Sequence, residues 1–371
     1  MNWSFWEDEV WLKQIDLCVI GAGIVGLNTA IRYKKAFPKS KVVILEKGAL
    51  PEGASTKNAG FACFGSVSEI LSDLQNHSEE EVVSLVKRRW DGLAKLREIL
   101  GDKVINYSPV GGYEVFQEKD ASLYDTCLSE IPYINRLLWP VFKDNVFQIK
   151  HNDFGFNKTK DLLIFNQFEG HIHTGKMIKG LLDKSRSLKI DVFYGATVSE
   201  IQDNEVVLEN GAIIKADKFA MCTNGFASQF LDNRVQPARA QVLITEPIPK
   251  LKWKGTFHLD EGYYYFRNVG NRVLLGGGRN LDFEGENTTE MELTNLIQNR
   301  LETILQEQIL PGKKVQISHR WSGIMGVGNQ KSPIVKKISE NQYCAVRLGG
   351  MGVALGSQVG VDLAELIIEN S

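Results

Sequence analysis

The segment Gly21-Ala22-Gly23-Ile24-Val25-Gly26 constrains this chain more than any other. Ile15 to Ile20 before it is a short, nearly continuous apolar run, which reads as a parallel strand buried on both faces. A helical stretch follows to about Phe37, and Lys41 to Glu46 reads as a second strand. The result is a βαβ unit with GxGxxG at its first turn and an acid 20 residues after Gly26. Gly21 suits the tight turn, Gly23 lets the backbone approach a pyrophosphate, and Gly26 lets helix and strand pack closely. Ala22, Ile24 and Val25 complete the turn, and the helix start offers free N–H groups to phosphate. Glu46 is placed to accept ribose hydroxyls and would repel a 2′-phosphate.

The chain does not continue as a nicotinamide dehydrogenase would. Lys47 to Gly60 is a small, polar loop with no third strand nearby, suited to a second pass over a diphosphate and onto a ring system. Near the other end, a strand from Gln342 to Leu348 runs into Gly349-Gly350-Met351-Gly352 and a helix from about Val353 to Glu369. This second glycine-rich turn is expected to aim a helix N-terminus at the same cofactor, where its dipole favours negative charge on a reduced flavin.

Composition narrows the partners. The 43 Lys+Arg nearly balance the 45 Asp+Glu, and no run of five like charges occurs, so neither nucleic acid nor an anionic membrane is an expected partner. Cys18, Cys63, Cys127, Cys222 and Cys344 are scattered and never spaced CxxC, which predicts no metal site and reduced thiols in a cytoplasmic setting. No apolar run reaches the ~18 residues of a membrane span, and the N-terminal stretch has no basic region of a secretory signal. Trp3, Trp6 and Trp11 recur at helical spacing, predicting core packing or a subunit contact.

The GAGIVG turn, the LEK at 45–47, the ASTKNAG at 54–60, the CTNG at 222–225 and the C-terminal LGGMG together resemble the FAD-dependent D-amino acid oxidase family. The resemblance runs from about residue 15 to 370. It implies an α/β and α+β fold: a Rossmann-type FAD-binding domain (1–78, 150–228 and 319–371) with an inserted antiparallel substrate domain (79–149 and 229–318). Lys47, Ser55, Thr56, Asn58, Ala59, Gly60, Val198, Thr223, Gly225, Gly323, Gly350, Met351, Gly352, Val353 and Ala354 are then expected at the cofactor, beside Gly21 to Gly26 and Glu46. Between these segments, Glu79–Leu100 and His173–Ser187 read as helices and Ile190 to Tyr194 as a strand. Residues 104–117 read as a hairpin, Glu205 to Asp217 as a hairpin with a type I′ turn at Asn210-Gly211, and Thr289 to Leu305 as a helix.

The run Gly262-Tyr263-Tyr264-Tyr265-Phe266-Arg267, the Gly276-Gly277-Gly278 triplet and Arg320-Trp321-Ser322-Gly323-Ile324 look most like the γ-glutamylputrescine oxidase branch, beside the glycine and sarcosine oxidases. The departures matter. Met325 stands where amino acid oxidases of the family hold a carboxylate-binding arginine, and Leu274 where sarcosine oxidase holds a lysine that promotes reaction with oxygen. No cysteine lies between 223 and 343, and Asn58 takes the place of a flavin-linking histidine, so non-covalent FAD is expected. The expected reaction is hydride loss from the carbon beside an amine nitrogen to flavin N5, then hydrolysis of the imine. Tyr264 is the candidate substrate-facing hydroxyl, Arg267 the candidate for a distal carboxylate and Trp321 a wall near the flavin. For the tyrosines the alternative is sheet packing, and for Arg267 a surface ion pair. His171, His173 and His319 carry no assigned catalytic role. Alternative functions are a dehydrogenase with an acceptor other than oxygen, a tRNA-modifying flavoprotein and a flavin-binding protein without turnover.

Overall fold

The computed structural model describes residues 3–229, 231 and 235–370. The N-terminal βαβ unit forms as its sequence dictates: strand Leu17–Ile20, helix Ile24–Ala36, strand Val42–Glu46. These strands lie at the centre of a six-stranded sheet. Its order is Ile334–Lys337, Gln342–Val346, Lys218–Met221, Leu17–Ile20, Val42–Glu46 and Asp191–Tyr194. Every neighbouring pair is parallel except the first.

The alternation of side chains along Leu17–Ile20 separates two cores. Leu17 and Val19 pack against the helices Ile24–Ala36, Thr174–Ser187 and Gly352–Glu369. Cys18 and Ile20 pack against a small sheet of Val198–Ile201, Glu205–Leu208 and Ile213–Lys215 on the other face. Burial on both faces explains the unbroken apolar run, each large side chain contributing roughly 1.5–3 kcal/mol.

The second large sheet has eight strands, in the order Ile317–Val327, Gln236–Thr245, Arg272–Gly277, Tyr264–Val269, Thr256–Leu259, Gly112–Val115, Leu162–Asn166 and Phe147–His151. It is antiparallel apart from the pairing of Gly112–Val115 with Thr256–Leu259. One face packs under helix Asn295–Ile304 through Phe257, Tyr264 and Phe266, with the Phe257 and Phe266 rings stacked at 4.6 Å. The opposite face looks toward the glycine turn. The expected α/β and α+β combination is therefore present.

Several local expectations are corrected. Residues 104–117 are not a hairpin, because Gly112–Val115 is an interior strand paired on both sides with distant strands. The Asn210-Gly211 turn is not type I′, since only Gly211 has positive φ, at 79°. The helix expected from Thr289 starts at Asn295, after Thr294. Leu162–Asn166 and Ile317–Val327 lie in the eight-stranded sheet, so the sheets divide the chain later than residue 150 and differently around 319. Trp6 and Trp11 are exposed, so core packing, one of the two expectations, does not hold for them, while Trp3 donates its indole N–H to the Ile213 carbonyl at 2.8 Å. No helix of the described residues is long and apolar enough to cross a membrane.

Candidate active site

The glycine turn is shaped by contacts that leave no room for side chains. Gly21 has φ of +105°, and its N–H donates to the Leu45 carbonyl at 2.8 Å. A Cβ on Gly26 would sit 2.0 Å from the Gly21 carbonyl oxygen, so the helix can close on the turn only without one. A Cβ on Gly23 would meet Ser55 Oγ at 3.0 Å, and that Oγ accepts the Ile24 N–H at 2.9 Å. The loop expected to pass over the diphosphate thus lies directly over the helix N-terminus. Glu46, buried, accepts the N–H groups of Ala22 (3.0 Å) and Gly48 (3.1 Å) and lines the same cavity.

The rest of the polar loop braces itself. The Thr56 hydroxyl donates to the Pro51 and Gly53 carbonyls at 2.7 and 3.1 Å. Asn58 Nδ2 donates to the Ala54 and Ser55 carbonyls, and its Oδ1 accepts the Gly60 N–H and the Thr174 hydroxyl. Thr56 is consumed inside the loop, whereas Ser55, Asn58, Ala59 and Gly60 line the cavity.

The C-terminal helix Gly352–Glu369 crosses Ile24–Ala36 closely, because a Cβ on Gly356 would meet Ile24 Cγ2 at 2.4 Å and one on Gly360 the Val25 carbonyl at 2.6 Å. Two helix N-termini therefore open on one cavity. Gly350, Met351, Gly352 and Val353 line it, while the Ala354 carbonyl turns away against Gly92 of helix Glu79–Leu100. Val198, Thr223, Gly323 and Lys47 also reach it. Gly225 does not: it lies under the Met325 carbonyl, where a Cβ would be at 2.5 Å. Ala22 and Gly26 support the turn from behind it. Thr223 Oγ1 is buried with no hydrogen-bond partner among the described residues.

This cavity measures about 980 Å³ and continues from the glycine turn to the face of the eight-stranded sheet. The sheet contributes Ala240, Val242, His258, Tyr265 and Met325. The Phe61 ring stands edge-on to both His258 and Tyr265, at 5.3 and 5.5 Å. The glycine triplet makes this wall possible. Tyr265 pairs across the strands with Gly276, where a Cβ would lie 2.6 Å from the tyrosine ring. Burial pushes the Tyr265 phenol up to about 12, so it is a neutral donor at ordinary pH.

The three catalytic candidates from sequence lie elsewhere. Tyr264 points to the opposite face of the sheet, is 2% exposed and packs among Phe266, Ile297 and Leu301. The strand register therefore turns Tyr265, and Tyr263 just before the strand, toward the cavity. Arg267 is buried and consumed by carbonyls: Nε donates to Ala59 at 2.5 Å, Nη2 to Ile172 at 3.1 Å and Nη1 to Asn268 at 3.3 Å. It ties the sheet to the polar loop and does not line the cavity. Trp321 does the same from the edge strand Ile317–Val327, donating its indole N–H to the Lys57 carbonyl at 2.8 Å. Among the histidines, His171 is held neutral by burial and by Arg267, its pKa lowered to about 4. His173 caps helix Thr174–Ser187, and His319 is exposed beside Ser318.

Two wall residues carry no assignment from sequence. His258 Nε2 bonds to Glu169 Oε2 at 2.9 Å, and the same oxygen accepts the Thr256 hydroxyl at 3.0 Å. Burial disfavours charge on His258, but Glu169, with Glu69 and Glu114 nearby, pushes its pKa up to about 9. The cavity wall thus holds an imidazolium. Arg89 also lines the cavity and is buried. Its sequence signal is a charged residue on the core-facing stripe Val82, Val86, Arg89, Leu93, Leu96 of helix Glu79–Leu100.

A parallel sheet with a glycine turn, a ribose-type acid and a second helix N-terminus on one long cavity defines a dinucleotide-binding oxidoreductase. The chain belongs to the FAD dependent oxidoreductase family, whose model matches residues 16–366. It is similar to a probable oxidoreductase, OrdL, of Haemophilus influenzae (22% identity, covering 96% of this chain and 84% of that one). It is also similar to γ-glutamylputrescine oxidoreductase of Escherichia coli K12 (24%; 95% and 83%). Its fold matches glycine oxidase from Geobacillus kaustophilus with a TM-score of 0.74 at 16% identity, covering 96% and 95% of the two chains. The expected family membership, fold and FAD cofactor are therefore supported, and the chain is a FAD-dependent oxidoreductase. The residues fit that cofactor: Gly23 keeps the helix start free of a side chain under Ser55, Glu46 stands in the wall, and the Thr223 hydroxyl has no partner among the described residues.

Proposed function

We propose that this enzyme oxidises the C–N bond of a small amine, an amino acid derivative or an acylated polyamine. The observation that carries the reading is the single cavity that joins the dinucleotide turn to the Phe61, His258 and Tyr265 wall. FAD, when bound, supplies the acceptor for a hydride from the carbon beside the nitrogen. The nitrogen lone pair then forms the C=N bond, and water hydrolyses the imine to a carbonyl compound and an amine or ammonia.

The residues of the chain bind, orient and exclude water. Phe61 and Tyr265 give an apolar wall against which the reacting carbon can be held, with the Tyr265 hydroxyl as a donor. The His258 imidazolium and the two helix N-termini favour negative charge in the cavity. Gly21, Gly23 and Gly26, with Ser55 and Glu46, hold the dinucleotide end. Non-covalent attachment is supported by the state of the two cysteines that reach the cavity, since burial pushes both the Cys63 and Cys222 thiols well up and leaves no thiolate to add to a flavin. The electron acceptor is oxygen or another small acceptor. Leu274, packed against Ala59 and Val242, puts no cation on that part of the sheet.

Incubation of the FAD-loaded enzyme with γ-glutamylputrescine, putrescine, spermidine, sarcosine, glycine and D-amino acids tests this. One amine should yield a carbonyl product and released nitrogen in equal amounts. A hydroxy acid oxidised while every amine is inert would overturn it.

A further inference from the structure

The N-terminal segment displays aromatic side chains on a face that the described residues leave uncovered. Phe5–Glu7 and Asp8–Leu12 form short helical turns that are pinned from below. Leu12 is buried in the core of Ile15, Ala196, Leu208 and Ile214, and Trp3 packs against that core. Ser4 caps the first turn, its Oγ accepting the Glu7 N–H at 3.2 Å, and Lys41 Nζ donates to the Val10 and Lys13 carbonyls at 3.1 and 2.7 Å. The turns are therefore a built platform. On it Phe5 and Trp6 stand 67% and 70% exposed, their rings edge-on at 5.1 Å, and Trp11 is 46% exposed. Tyr194, 43% exposed, shares with Trp11 a groove of about 300 Å³. These four rings leave roughly 400–500 Å² of surface open, as much as the largest apolar patch on most monomers and about half of what one partner gives a standard interface.

Tyr194 ends the strand Asp191–Tyr194, which lies at the edge of the six-stranded sheet, and among the described residues no strand pairs with its outer side. The opposite edge, Ile334–Lys337, carries Lys336 and Lys337, the usual guard of an exposed edge. Asp191–Tyr194 carries no lysine and presents Tyr194 instead. The face also holds both halves of a contact. Trp6 stands out as a knob, and the groove lined by Trp3, Trp11, Phe193 and Leu208 is an apolar hole. Charge divides in the same way. Glu7, Asp8 and Glu9 follow the knob, while Arg186 and Lys189, both exposed, precede the strand. A surface with knob, hole and both signs of charge fits a second copy of itself turned about a two-fold axis, where each contact is made twice. A lipid surface fits worse, because anionic headgroups would meet the acidic run.

We propose that this face is a homodimer interface, with Trp6 of each protomer seated in the groove beside Tyr194 of the other and the free strand edges facing each other across the axis. The strand leads through Gly195 into Ala196, Thr197 and Val198, which line the cofactor cavity. Ala196 touches both the groove and that cavity, so the interface lies directly behind the dinucleotide-binding wall. The inference is independent of which amine is oxidised.

Sedimentation velocity and light scattering of the FAD-loaded full chain, over a micromolar concentration series, test this. Wild type should behave as a dimer of 41.6 kDa chains. Trp6→Glu and Tyr194→Lys, both at exposed positions, should each raise the dissociation constant at least about thirtyfold, the loss expected of a central aromatic anchor, with FAD content unchanged. Ile149→Lys, exposed on the edge strand of the eight-stranded sheet, should leave the dimer intact. Wild type that is monomeric throughout the series, or that assembles beyond two copies, overturns the proposal even if a variant fails to fold. So does a dimer that withstands both Trp6→Glu and Tyr194→Lys, or one that Ile149→Lys dissolves equally. Monomeric wild type that floats with phosphatidylcholine vesicles, where Trp6→Glu does not, gives the face to lipid and overturns it as well.

Discussion

His258 Nε2 and Glu169 Oε2 meet at 2.9 Å in the wall between the cavity and the eight-stranded sheet, with 7% and 1% of their side chains exposed. Gly112 makes the pairing possible, since a Cβ there would lie 1.9 Å from the same carboxylate oxygen. Removing one member of a buried pair strands the other, at a cost of about 3–5 kcal/mol. Glu169→Gln should lower the unfolding free energy by that order in denaturant titrations at neutral pH.

The pair also sets a pH dependence. The folded pKa of His258, about 9, lies above its ordinary 6.5. Its stabilisation is therefore complete below 6.5 and lost as pH rises through about 9. Glu114, raised by burial to about 7, weakens the fold as pH rises from 4.5 to 7, and the buried thiols, all raised above their ordinary 9, weaken it as pH nears 9 and beyond, so His258 dominates between pH 7 and 8. Unfolding free energy should fall more steeply between pH 7 and 8 in wild type than in Glu169→Gln. Equal slopes in the two proteins contradict the charged pair.

Tyr264 and Tyr265 should separate cleanly. Tyr265→Phe removes a donor from the cavity wall and should slow turnover roughly fivefold, the equivalent of about 1 kcal/mol, with flavin content unchanged. Tyr264→Phe, on the face packed by Ile297 and Leu301, should leave turnover alone. Steady-state kinetics of the two variants decide between the faces.

Arg267 should behave as a brace. Arg267→Ala strips the Ala59 and Ile172 carbonyls of their donors, at about 1–3 kcal/mol for each buried group left unsatisfied. It should lower the melting temperature and weaken FAD retention, without a rise in KM confined to carboxylate-bearing amines. Such a selective rise would place it at the substrate instead.

Gly26→Ala tests the turn. The added methyl would lie 2.0 Å from the Gly21 carbonyl and force helix and strand apart, typically at about 1–3 kcal/mol. Reduced FAD content after gel filtration is the expected result, and full FAD retention would contradict the close packing.

What was legible in the sequence is local. The βαβ turn showed because three glycines, a buried strand and Glu46 all fall within one short segment, and the C-terminal helix start showed because its own glycines mark it. The wall was harder to read. Tyr264 and Tyr265 differ only by the parity of a strand, and parity depends on which face the helix Asn295–Ile304 covers. Arg267 looks like a ligand or a surface charge until the Ala59 and Ile172 carbonyls arrive from loops more than ninety residues away. His258 and Glu169 are likewise 89 positions apart, so no spacing rule joins them. The strand Gly112–Val115 read as half of a hairpin because both its partners are remote.

The central claim is that this flavoenzyme takes a hydride from the carbon beside an amine nitrogen. An anaerobic visible spectrum, recorded before and after each amine is added, tests it most directly. The account predicts that one amine bleaches the oxidised flavin band without oxygen present, and that air restores it at a rate set by the acceptor. A flavin band that no amine bleaches, in protein that holds its full complement of FAD, would contradict it.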